Sequence, residues 1–207
     1  MLCTLTQVKT RLGIGAFDTK DDAILLNTIL NYSARFDQYC ERKFERTEDV
    51  DYEFPAAYIM ITPHYYPIES IETFAVKYNE TDGFETVTDV DYQIVKSSGG
   101  VACTVAFLAP LGSGTTRARI TYNGGYVTGF TRNSSTGEPE NITAGQTPLP
   151  ADVEMGCIEQ CAYWYQNRGL LGVSGLTVEG GGKQFHRDLD LLPSVKKMLG
   201  NYRRIIL

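Results

Sequence analysis

The chain has 207 residues, 43% of them hydrophobic, including 13 tyrosines and nine phenylalanines, which is enough apolar material for a packed core and excludes a disordered polymer. A net charge of −6 and a pI near 5.0 argue against binding nucleic acid by general attraction to phosphate. No run approaches the roughly 20 apolar residues that span a bilayer, and Met1-Leu2-Cys3-Thr4-Leu5 lacks the basic and long apolar regions of a signal peptide, so synthesis in the cytosol is expected.

Residues 4–12 read as a short helix, with Thr4 and Gln7 at capping-box spacing and Gly13 and Gly15 ending it. A second helix is predicted from about Asp18 or Thr19 to about Phe44, because Leu26, Ile29, Ala34, Phe36, Cys40 and Phe44 recur at roughly helical spacing. From Val50 to Val127 the period changes. Strand signals at 58–61, 71–76, 92–95, 101–108 and 118–122 alternate with Gly- and Pro-containing turns, which predicts an antiparallel, meander-like sheet. Residues 128–149, rich in Gly, Ser, Thr, Asn and Pro, read as a mobile surface loop. Helix returns from Pro150 to Asn167 with a wide apolar stripe that calls for more than one packing neighbour, and stops at Gly169. Residues 170–190 are Gly-rich and irregular. A last helix runs from Leu192-Pro193 to Leu199, and Asn201 to Leu207 form a tail. The expected fold is α+β: a bundle of two N-terminal and two C-terminal helices (1–45 and 150–207) carrying a large inserted antiparallel β region (46–149).

Charge is unevenly spread. Lys183 to Leu207 carries +4 and residues 1–182 carry −10. Tyr202, Arg203, Arg204, Ile205, Ile206 and Leu207 make a cationic, greasy terminus that either folds back on its own helices or inserts into a partner. The acidic run Glu45, Glu48, Asp49, Asp51 and Glu53 reads as a solvated junction or as a surface facing basic residues of a neighbouring subunit.

Signals for chemistry are weak. The five cysteines, Cys3, Cys40, Cys103, Cys157 and Cys161, are odd in number and scattered, which predicts reduced and mostly buried thiols. Cys157 and Cys161 share a helix face, but zinc wants about four ligands and neither His64 nor His186 is near in sequence, so no metal is expected. Gly13-Ile14-Gly15 and Gly180-Gly181-Gly182 lack the strand-to-helix context of a phosphate loop. No Gly-x-Ser-x-Gly elbow is present and only two histidines exist, so neither an enzyme nor a cofactor is expected.

Three stretches together resemble the head–tail connector (adaptor) family of tailed double-stranded-DNA bacteriophages. They are Leu5-Thr6-Gln7-Val8-Lys9-Thr10-Arg11-Leu12-Gly13-Ile14 with Asp21-Asp22-Ala23-Ile24-Leu25 and Cys40-Glu41-Arg42-Lys43-Phe44; Leu149-Pro150-Ala151-Asp152-Val153 leading to Tyr163-Trp164-Tyr165-Gln166-Asn167-Arg168; and Leu192 to Leu199 closing on Tyr202-Arg203-Arg204. Compact members of that family lack so large a central insert, so residues 46–149 depart from its pattern.

The resemblance implies a structural protein that forms a ring of about twelve copies around the DNA exit channel. The ring would sit beneath the portal protein and receive head-closure or tail-completion proteins. Tyr202 to Leu207 would dock on the portal. Glu45, Glu48, Asp49, Asp51 and Glu53 would lie between subunits or face the lumen, past which double-stranded DNA slides without specific binding. No membrane partner is implied. The alternative from the residues is a β-rich module for glycan or host surface, drawn from Tyr65, Tyr66, Tyr78 and Tyr92.

Overall fold

The computed structural model describes residues 1–97, 99–113, 116–133, 135–169, 177–178, 182–183 and 190–204. The chain forms two units. One comprises Met1–Cys40 and Pro150–Arg203; the other comprises Glu41–Leu149 and takes in Arg204.

The first unit is helical. α1 (Leu5–Leu12) starts at Thr4, whose hydroxyl accepts from the Gln7 N–H at 3.3 Å while the Gln7 side-chain oxygen accepts from the Thr4 N–H at 2.7 Å. This reciprocal capping is the arrangement the spacing predicted. Gly13 closes the helix with φ 70°, a left-handed conformation that glycine adopts without a Cβ penalty. α2 (Asp22–Cys40) is shorter than the expected span, beginning a turn later and ending before Phe44. α3 (Ala151–Asn167) packs against α1, α2 and α4 (Pro193–Leu199), and a 3-10 turn (Gly200–Tyr202) follows. The shared core consists of Val8, Leu25, Ile29, Phe36, Val153, Cys157, Cys161, Val195 and Leu199, all nearly or wholly buried. Two short strands, β10 (Thr177–Val178) and β11 (Gly182–Lys183), pair antiparallel.

Two buried polar side chains hold this unit together. Lys9 donates to Ala16 O (3.2 Å), Asp18 O (2.6 Å) and Asp22 Oδ1 (2.9 Å), which ties α1 to the α1–α2 connection. Gln160, fully buried on α3, accepts from the Leu192 N–H at 2.8 Å. Leu192 is the N-cap of α4 and offers no side-chain cap of its own, so Gln160 satisfies a helix-start donor from a distance.

The second unit is β-rich. One four-stranded antiparallel sheet has the order β1 (Thr47–Pro55), β7 (Arg117–Gly124), β3 (Ile68–Lys77), β4 (Glu85–Val87). A three-stranded antiparallel sheet has the order β2 (Met60–Ile61), β6 (Ala102–Phe107), β5 (Tyr92–Lys96). The antiparallel expectation holds, but the order is not a meander, because β7 lies between β1 and β3. Their inner faces share one core: Phe54, Ile61, Ile68, Val76, Val105, Phe107, Ala118, Ile120 and Tyr122. The Phe54 and Phe107 rings stack at 5.6 Å and join the two sheets. The segment expected to be a mobile surface loop contains a small hairpin, β8 (Thr131–Arg132) with β9 (Pro139–Glu140), and its end pairs back through Val127 with Pro148.

α2 stops at Cys40 because the next residues belong to the β unit. Glu41 takes φ 54°, and Arg42 is buried with its guanidinium carbon 3.4 Å from the Tyr66 ring centroid, 4.7 Å from Phe44 and 5.2 Å from Tyr126. Its Nη2 also donates to the Tyr66 carbonyl. A cation framed by three aromatic faces and a carbonyl offsets its desolvation, and Lys43 then bridges to Tyr65. Phe44 matches helical spacing but faces Tyr126.

The last residue of β7, Gly124, and the residue after it, Gly125, are glycines for steric reasons. A Cβ on Gly124 would lie 2.5 Å from Tyr65 O; one on Gly125 would lie 2.7 Å from Glu45 O, at φ +103°. Gly125→Ala is expected to destabilise the protein by about 2–4 kcal/mol, from backbone strain plus overpacking, read as a lower urea midpoint at unchanged slope. Lys9→Ala is expected to cost about 2 kcal/mol, by orphaning two carbonyls and part-buried Asp22, read by thermal melting.

Candidate functional site

The acidic run lies on and just before β1, an edge of the four-stranded sheet among the described residues. Val50, Tyr52 and Phe54 turn toward the core while Asp51 and Glu53 are exposed, so strand alternation sorts the acids outward. Glu45 bridges Tyr126 through its backbone. Glu48 pairs with Arg46 Nη1 at 2.7 Å. Asp49 has φ 53°, at an irregularity in the β1–β7 register, and its N–H donates to Asn123 Oδ1 at 2.8 Å. Asp51 pairs with Arg119 at 3.2 Å and accepts from the Thr121 hydroxyl at 2.7 Å. Glu53 sits opposite Arg119 in the register. The five acids therefore share one region, and two of them already hold arginines of their own chain. Charged residues on an edge also blunt it against strand addition by other chains.

Sequence reasoning missed the partner behind this edge. Glu69 on β3 binds Arg46 through Nε at 2.9 Å and Nη2 at 2.9 Å, in the fork geometry that guanidinium favours. Its bonds to Glu69 and Glu48 raise Arg46 further above its already high pKa. Glu69 stands 23 residues away, and no local spacing announces the pair.

The carboxy-terminal candidates divide between the two units. The Tyr202 hydroxyl donates to Asp152 at 2.7 Å, and Arg203 lies over the Tyr39 ring at 5.8 Å, both within the helical unit. Arg204 belongs to the β unit. Its Nε donates to Thr62 O at 3.0 Å, Nη2 reaches the same carbonyl and Tyr52 OH, and Nη1 donates to His64 Nδ1 at 2.9 Å. Arginine cannot accept, so Nδ1 must, which fixes His64 as the neutral Nε2–H tautomer. As far as Arg204 the terminus thus folds back on its own chain. Ile205, Ile206 and Leu207 lie outside the described residues, as do His186 and most of the Gly-rich segment before Asp190.

Exposed apolar side chains gather elsewhere. Tyr58, Ile59 and Met60 at β2 are about half exposed and Leu108, after β6, is 82% exposed, with the Phe107 N–H donating to Ile59 O at 2.8 Å. Phe17, in the α1–α2 connection, is 99% exposed. Of the cysteines, Cys3 joins Cys157 and Cys161 in one buried group, a long-range meeting that the i, i+4 spacing alone did not reveal. No helix among the described residues is long and apolar enough to cross a membrane.

No protein family and no curated protein matches the chain. Solved structures do. A chain in the neck of an empty gene transfer agent particle, computed with C6 symmetry, aligns at TM-score 0.57 with 15% identity, over 98% of this chain and 90% of that one. A chain of the native gene transfer agent virion aligns at TM-score 0.56 with 14% identity, over 98% and 90%. One in the neck of the native particle, computed with C12 symmetry, gives 0.55 and 13%, over 98% and 89%. The chain thus has the fold of a chain found in the neck of these particles. That likeness extends through the β region, which had stood apart from the compact connectors.

His64 is lowered below its ordinary pKa, first by burial and then by the Arg204 charge, while a hydrogen bond to the Glu41 backbone works the other way. A depressed histidine binds fewer protons folded than unfolded, so its contribution to stability is present above the unfolded value and declines as pH falls through about 6.5 toward the folded value. Arg204→Ala is expected to raise the His64 pKa and to lessen that acid-side decline, measured by NMR titration of the ring and by melting between pH 5 and pH 7.

Proposed function

We propose that this chain is a structural neck protein of a tailed, phage-like particle. It acts as a head–tail adaptor: a ring of about twelve copies beneath the portal extends the DNA channel and offers the attachment site for head-closure or tail-completion proteins. The observation that carries the reading is the extent of the structural match, 98% of this chain against 90% of a neck chain. Neck structures computed with C6 and C12 symmetry support a closed ring with heterologous contacts between neighbours. The order and spacing of the helical motifs point the same way. In this reading the protein resides in the virion, at the head–tail interface.

The exposed carboxylates of Glu45, Glu48, Asp49, Asp51 and Glu53 would then stand at a subunit boundary or border the channel. Carboxylates repel phosphate weakly across water, which suits a conduit through which DNA must slide. A cryo-EM ring whose lumen is lined mainly by Lys and Arg would rule that placement out.

For the portal contact the critical segment is Ile205-Ile206-Leu207, carried just past the Arg204 anchor. Tyr202 and Arg204 serve the subunit's own structure, so deletion of residues 205–207 separates docking from folding better than a longer truncation. The shortened protein is expected to keep its helical circular dichroism and melting temperature but to lose co-sedimentation with portal rings. Unchanged co-sedimentation would remove the docking role. Negative-stain particles of ring shape, with a mass about twelve times the chain's when portal is present, would test the assembly itself; a monomer under every condition would contradict it.

A further inference from the structure

Cys3 precedes α1, and Cys157 and Cys161 lie one turn apart on α3. Their three sulfur atoms all fall within 4.8 Å of one another, with Cys3 Sγ and Cys157 Sγ at 3.5 Å. Cys3 is 2% exposed and the other two are fully buried. Three sulfurs placed about 2.3 Å from a common ion in a trigonal plane would lie about 4.0 Å apart, inside that range. Cys3 is also held from both sides. The Leu2 N–H donates to Ser33 Oγ at 3.0 Å, and Thr4 is locked in the capping box. The donors therefore converge on one point before any ligand arrives, whereas cysteines used only as small apolar filler have no need to.

We propose that Cys3, Cys157 and Cys161 form a three-thiol site for one soft monovalent d10 cation of the Cu(I) type. Ligand softness selects the class, since thiolates favour copper(I), zinc and related thiophilic ions. Ligand number selects within it. No histidine or carboxylate completes the set among the described residues, and a structural zinc site wants four ligands. The closely placed Glu154 carboxylate is engaged by Gln7 Nε2 at 2.7 Å. Copper(I) is content with three sulfurs and needs no water in a site closed to solvent. Each coordinating thiol gives up its proton to solvent, and the Ser33 hydroxyl, bonded to the Cys157 sulfur, supports the resulting thiolate. Hydrogen bonding among the three sulfurs, and then burial, hold the thiols well above their usual pKa. A bound ion would fasten the N-terminal segment to α3 under reducing conditions, where a disulfide does not persist.

The test uses the full chain, purified anaerobically with a phosphine reductant and offered Cu(I) against a colorimetric Cu(I) chelator. The expected result is one retained equivalent per chain, a raised melting temperature, and three sulfur neighbours by copper K-edge X-ray absorption. Cys3→Ser, Cys157→Ser and Cys161→Ser should each lose that equivalent, while Cys103→Ser keeps it. Complete surrender of copper to the chelator by the folded wild-type chain overturns the proposal. So does retention that depends on Cys103, or a shell of fewer than three sulfurs. The X-ray measurement on the wild-type chain decides the matter even if a buried serine variant fails to fold.

Discussion

Burial of α3 is the constraint on which the helical unit depends. A 17-residue helix carrying Val153, Cys157, Ile158, Cys161 and Ala162 cannot stand alone in water, and α1, α2 and α4 cover it from different sides. Two of those helices precede the 109-residue stretch of Glu41–Leu149 and one follows α3. The chain ends must therefore meet after a long excursion. The excursion is tolerable because it folds on its own core, and because closure entropy grows only slowly with the length spanned. Three buried polar groups on this scaffold join separate elements: Lys9 holds the α1–α2 connection, Gln160 the start of α4, and Glu154 the Gln7 side chain of α1.

Much of the helical architecture was legible in the sequence because its signals are local. Thr4 and Gln7 lie three apart, Gly13 follows the last helical residue, and Pro150 and Pro193 sit where a missing N–H does no harm. The end of α2 was not legible. Phe44 satisfied helical spacing, and only the aromatic setting of Arg42, assembled from Tyr66 and Tyr126, draws the chain out of the helix. β1 was hidden by its acids, which disfavour strands as single residues. What makes it a strand is the Val50, Tyr52, Phe54 alternation against β7, a signal visible in the sequence but masked by the charges between. The position of β7 between β1 and β3 arises from pairings at long sequence separation, which turn spacing does not encode.

The candidate site was legible in position and not in partnership. The acids and the basic terminus stood out by composition. Their partners did not: Asp51 on β1 pairs with Arg119 on β7, and Arg46, which holds Glu48, is itself bound by Glu69 on β3. The terminus posed a choice between folding back and reaching out, and as far as Arg204 it folds back: Tyr202, Arg203 and Arg204 are each engaged by residues of their own chain.

The glycine pair at 124 and 125 has a consequence for how this sequence can drift. Every non-synonymous change to a glycine codon installs a side chain or a proline ring, so no single-step substitution preserves the bare backbone that these positions require. Here the carbon would strike main-chain atoms of Tyr65, Glu45 and Arg46, which cannot turn aside as a flexible side chain could. Relief would need concerted movement of two separate stretches of chain, one around Glu45–Arg46 and one around Tyr65–Pro67. A saturation library of this protein should therefore show two adjacent codons, the last of β7 and the one after it, empty of tolerated variants, beside outward-facing positions of β1 such as Asp51 and Glu53 that accept many.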